Sequence, residues 1–182
     1  MPFELTICGL EELGLHRRAG VSHVLSILDP DWPEPEEFGR WDAHHRLLLR
    51  FHDVIEDEPP WRAPEAEHVA SMLVFGRQMA MDQACHLLVH CHAGVSRSTA
   101  SALVLLAQAD PARDPHAIVA QITRHRPQAW PNLRIVELGD RQLDRRGKLI
   151  EAARRHYRAV IAERPEYGAL MGSSGRLREV EG

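Results

Sequence analysis

The stretch that decides the reading is His86–Thr99, HLLVHCHAGVSRST. It opens on a short, almost uninterrupted apolar run, the pattern of a central parallel strand buried on both faces. It then passes through a small-residue turn into STASALVLLAQA, whose composition and spacing predict a helix to about Ala109. Open α/β sheets place ligands where a strand ends and a helix begins. A tight turn there directs successive backbone N–H groups inward, and the helix adds its positive end, so an anion is favoured. Gly94 supplies the backbone freedom such a turn needs. Arg97 offers a planar fork able to hold two oxygens of a phosphate. Cys91 sits at the base of the same ring, a setting that favours its thiolate. A thiolate in line with a bound phosphate can attack phosphorus and form a covalent intermediate. Ser98 is placed to donate to the sulfur and help it leave, and His90 to orient the loop by hydrogen bonding.

Working outward, β-rich runs at 4–8, 21–28 and 46–51 predict three further strands. Pro64, followed by acidic residues, opens a helix to about Asp82, Asp114-Pro115 begins another, and an amphipathic helix covers 147–163. Strand alternating with helix predicts an α/β fold: one domain, a central, mostly parallel sheet flanked by helices. The domain is expected over residues 1–164, with 165–182, which contains GSSG, as a flexible C-terminal tail. The acidic, proline-rich segments 29–39 and 56–64 read as surface loops.

A chain of 182 residues, 44% hydrophobic and 26% charged, suits one globular domain. Its apolar runs fall short of the roughly 20 residues that cross a bilayer, and no basic-then-apolar leader opens it, so a cytoplasmic protein is expected. Three cysteines (Cys8, Cys85, Cys91) are too few for a disulfide scaffold and suit a reducing compartment. Residues 1–62 hold thirteen acids against six arginines, and 113–164 hold twelve basic residues against six acids. Because the latter are interleaved, solvated helix faces are expected rather than a docking patch, and neither nucleic acid nor membrane is expected as a partner.

The stretch 90–98 fits H-C-x2-G-x2-R-[ST] and resembles the protein tyrosine phosphatase superfamily, most closely its dual-specificity branch. His90, Cys91, Ala93, Gly94, Ser96, Arg97 and Ser98 carry the resemblance. GVSHVLSIL extends it upstream and RPQAWPNLRIVEL, more loosely, downstream, over roughly residues 4–160. The resemblance implies a phosphotyrosine-phosphatase-like fold and hydrolysis of a phosphate monoester on Cys91. His92, Ala93, Gly94, Val95, Ser96 and Arg97 would receive the phosphate, with no cofactor or metal. It also implies an acid on a loop just past the preceding strand, which protonates the leaving oxygen and later activates water. Asp53, 38 residues before Cys91 and directly after RLLLRFH, is favoured, and Asp57, 34 residues before it, is the alternative. Asp31-Trp32-Pro33 reads as a surface turn, and His52 as a surface histidine beside the acid. Trp130-Pro131-Asn132 is a candidate pocket wall or packing element, and Arg126 and Arg134 are candidate substrate contacts.

A metal site among His86, His90, Cys91 and His92 is disfavoured, since adjacent strand residues face opposite ways. A Walker-type nucleotide loop fails for want of G-K-[ST] after the glycine. A disulfide from Cys85 to Cys91 is out of reach, because six strand residues span roughly 20 Å. The loop's lack of lysine favours a singly phosphorylated group over a phosphoinositide. The substrate is expected to be a phosphorylated protein, with a small phosphorylated metabolite as the alternative and a weak phosphate-binding module as the rival from outside enzymology.

Overall fold

The computed structural model describes residues 3–82 and 85–181. Four strands, β1 (Glu4–Cys8), β2 (His23–Leu28), β3 (His45–Arg50) and β4 (His86–His90), form one sheet in the order β1-β4-β2-β3. Every pairing is parallel, with Cys8 and Ser26 both opposite His90. The apolar run of β4 thus lies between two neighbours and is buried throughout.

Strand residues alternate between two cores, as the pleat requires. Leu5, Ile7, Leu25, Ile27, Leu49, Leu87 and Val89 enter the larger one. It is completed by α1 (Ala66–Met79), α2 (Arg97–Ala109), α3 (Pro115–His125), α4 (Leu133–Gln142) and α5 (Lys148–Glu163). Helix α2 is buried along nearly its whole length, as its run of alanine, leucine and valine dictates. Cys8, Val24 and Leu88 face the other way, under Leu13 and Phe38 from two 3-10 segments, Leu10–His16 and Glu36–Arg40. No helix among the described residues is long and apolar enough to cross a membrane.

The segment expected as a flexible tail carries two helices among its described residues. Residues Pro165–Ser173 form α6 and Leu177–Val180 form α7, and Arg176 and Glu179 are buried. The reason is an unsatisfied helix end. Glu179 accepts hydrogen bonds from Leu133 N at the start of α4 (2.9 Å) and from Trp130 Nε1 (2.6 Å). Free N–H groups and the positive dipole at a helix start both favour a carboxylate. Arg176 completes the pair, with Nε and Nη2 at 2.7 and 2.8 Å from the two Glu179 oxygens.

The parallel sheet has one decisive consequence for function. All four strand C-terminal ends lie together, so the segments after them meet: Gly9 after β1, Asp29 after β2, Asp53 after β3 and Cys91 after β4.

Candidate active site

The turn from β4 into α2 is held from outside, carbonyl by carbonyl. His92 O accepts from Leu10 N (2.9 Å), Ala93 O from Arg126 Nη2 (2.8 Å) and Gly94 O from Arg126 Nε (3.0 Å). Val95 O accepts from Trp130 N (2.9 Å), and Ser96 O from Ala100 N (3.0 Å) and Asn132 N (3.3 Å). A trans peptide sets its N–H opposite its C=O, so the N–H groups of residues 93–97 are turned toward the loop interior. Gly94 has φ +69°, and a Cβ there would lie 2.5 Å from Cys8 C and 2.6 Å from Gly9 N. Both the handedness and the close approach of β1 require glycine.

Arg126 is the outer clamp. Its guanidinium meets Glu12 at 2.7 and 2.6 Å while bonding the two loop carbonyls, and that contact holds the Glu12 carboxyl below its ordinary value. Arg134 bonds Pro64 O and Asp57 Oδ2, both at 2.7 Å. Both arginines considered as substrate contacts thus have their guanidinium groups engaged by the protein.

Cys91 is buried at the base, with Ser98 Oγ 3.3 Å from its sulfur. Arg97 is 3% exposed, and its Nη1 donates to Asp29 Oδ1 (2.6 Å) and Phe51 O (2.7 Å). Its Nε is buried and has no hydrogen-bond partner among the described residues. One end of the fork is therefore anchored, and a strong donor is left over. His90 lies on β4 with Nε2 2.7 Å from Ser26 Oγ, and burial pushes its pKa down to about 4, so the ring is neutral. His92 Nε2 accepts from Asp29 N (3.3 Å), and burial together with Arg97 also keeps this ring toward the neutral form.

The two acid candidates are separated by the fold. Asp53 Oδ1 accepts from Ser96 Oγ (2.7 Å), Asn132 Nδ2 (2.9 Å) and Arg176 Nη1 (3.3 Å), which sets it beside the loop between β4 and α2. Asp57 is a largely exposed partner of Arg134, its side chain 72% accessible. His52 turns its Nδ1 to Arg62 N and packs its ring on Trp61.

Trp130-Pro131-Asn132 divides between the two roles weighed for it. Trp130 is packed in the core, whereas Asn132 caps α4 and holds Asp53. The Asp31-Trp32-Pro33 segment is more than a surface turn, since the Trp32 ring lies 4.5 Å from that of His92 at the loop mouth. Asp29 and Arg176 are the residues that sequence reasoning missed. The position directly after β2 was a usable signal for Asp29, because ligand sites gather at strand ends. Arg176 offered none, since it joins the site across 123 residues.

The cysteines stay apart. Cys8 belongs to the smaller core and Cys91 to the larger, on opposite sides of the sheet. Burial, and then Glu12, push the Cys8 thiol up to about 12. Cys85 lies at the far end of β4, 3.3 Å from His23 Nδ1.

No family model matches this chain, and a search of curated protein sequences gives no match. Solved structures do. Human DUSP28 is 16% identical with a TM-score of 0.58, over 78% of this chain and 92% of that one. DUSP15 is 21% identical with a TM-score of 0.54, over 80% and 93%. The PTP-2 phosphatase of Cydia pomonella is 20% identical with a TM-score of 0.59, over 74% and 83%. This chain thus has the α/β fold of these solved phosphatase structures, with Cys91 standing on its loop between β4 and α2.

Proposed function

We propose that the protein hydrolyses phosphate monoesters through a phosphocysteine intermediate on Cys91. The observation that carries this reading is the loop itself: five consecutive carbonyls, His92 to Ser96, turned outward and held, beside a buried Arg97 Nε with no partner among the described residues. Inward N–H groups and a guanidinium match the three equatorial oxygens of a phosphoryl group in flight. The Cys91 thiolate attacks phosphorus as the ester bond to oxygen breaks, and Asp53 gives its proton to the departing oxygen. The Asp53 carboxylate then takes a proton from water, whose oxygen attacks the phosphocysteine. Ser98 donates a hydrogen bond to the sulfur as the P–S bond breaks.

The substrate we assign is a phosphoprotein, phosphotyrosine or dual-specificity. The loop supports a target without clustered phosphates. The stretch between Cys91 and Arg97, His92 to Ser96, carries no lysine or arginine that could hold a further phosphate. Release of phosphate from p-nitrophenyl phosphate by the wild type, abolished in Cys91→Ser, tests the chemistry. Equal activity in that variant would end it. A panel of phosphotyrosine, phosphothreonine and phosphoinositide substrates tests the class, and preference for the lipid would overturn the assignment.

A further inference from the structure

The opposite end of the sheet carries a second constellation that the phosphatase reading does not use. His23 opens β2, His45 opens β3 beside it in register, and Asp82 follows α1. His23 Nε2 lies 3.2 Å from Asp82 Oδ2. The rings of His23 and His45 are stacked at 5.1 Å with 26° between their planes. One ligand atom from each of the three residues falls within 4.8 Å of the other two. Together with Phe75, Gln78 and Met81 the group lines a solvent-open depression of about 400 Å³.

From this geometry we infer a divalent metal site of the zinc class, with His23 Nε2, His45 and Asp82 as its three protein ligands. Two imidazoles and a carboxylate are a donor set that suits Zn²⁺, with a fourth position for water. In a tetrahedral site with bonds of about 2.0–2.2 Å, ligand atoms stand roughly 3.3–3.5 Å apart. The two exposed residues, His45 and Asp82, need only small rotations to reach that spacing. His23 is the fixed member. It is 3% exposed and packs edge-on against Phe75, and its Nδ1 is engaged by Ser22 Oγ (3.0 Å) and Cys85 Sγ (3.3 Å). Such an outer contact orients a histidine ligand and leaves the other nitrogen for the ion. The ion would tie β2 and β3 to the chain between α1 and β4, far from the strand ends that hold Cys91, and so would stabilise the fold rather than join the reaction.

The test uses the full chain carrying Cys91→Ser, which removes the thiolate as a competing ligand. After chelator treatment it is titrated with Zn²⁺ by calorimetry and with Co²⁺ by visible absorption. One equivalent, a tetrahedral Co²⁺ spectrum and a raised melting temperature are expected. His45→Ala and Asp82→Asn, both at exposed positions, should each weaken binding at least about tenfold, on the scale typical when a metal site loses support. In the otherwise wild-type chain they should leave p-nitrophenyl phosphate turnover unchanged. No stoichiometric binding, an octahedral Co²⁺ spectrum, or full affinity in either variant would overturn the assignment.

Discussion

Arg176→Met is the most informative single change, because it removes a charge from two sites at once while keeping side-chain length. Glu179 would lose the donors at 2.7 and 2.8 Å and keep only Trp130 Nε1 and Leu133 N. Its side chain is fully buried, so the carboxylate cannot turn to water. Breaking such a pair costs about 3–5 kcal/mol. The two surviving donors place the expected loss at the lower end, about 3 kcal/mol. For a chain of this size that is a fall of about 6–12 °C in melting temperature, read by circular dichroism. Adding Glu179→Gln removes the stranded charge, so the double variant should be less destabilised than the sum of the singles by at least about 1 kcal/mol. Asp53 would lose its 3.3 Å partner and Ser96 Oγ its 2.8 Å donor, loosening the proposed acid without deleting it. General acid catalysis contributes about 10²–10⁴-fold and matters most for a poor leaving group. kcat on phenyl phosphate should therefore fall about tenfold more than on p-nitrophenyl phosphate. A loss below about 1 kcal/mol would refute the docking of the C-terminal segment, and an unchanged ratio of the two substrates would refute its role in positioning the acid.

Asp53→Asn should lower kcat by about 10²–10⁴-fold, while Asp57→Asn, a surface partner of Arg134, should stay within about twofold of wild type; the reverse ranking would exchange their roles. Gly94→Ala forces a Cβ to 2.5 Å from Cys8 C at a φ of +69°. Shifting the loop by about an ångström should cost about 100-fold in kcat/KM, and wild-type turnover would refute the account of the loop. His90 has its pKa lowered from 6.5 to about 4, so the unfolded chain binds the extra proton more readily between these values. Its contribution to stability is present above pH 6.5 and is lost as pH falls toward 4, amounting to about 2 kcal/mol by pH 5. Urea unfolding of His90→Gln should show a correspondingly flatter pH dependence than wild type, and parallel curves would count against a buried neutral imidazole.

The sequence by itself determined the parts whose physics is local. A buried strand, a glycine turn and a helix start are contiguous, so HLLVHCHAGVSRST placed Cys91, Arg97 and Ser98 in one loop before any tertiary contact was known. The strands and α1, α2, α3 and α5 followed from periodicity and proline caps for the same reason. Only the tertiary structure decided what holds that loop, because its supports come from every other part of the chain. Leu10 and Glu12 arrive from the end of β1, Asp29 from the end of β2, Arg126 from the end of α3 and Arg176 from beyond α6. Buried charge is what sequence patterning conceals most thoroughly. Arg176 and Glu179 fall in the segment expected as a flexible tail, yet each is buried because the other, together with the open start of α4, satisfies it there. Asp29 and Asp31 look equivalent in an acidic loop, and only the meeting of the parallel strand ends brings Asp29 to Arg97.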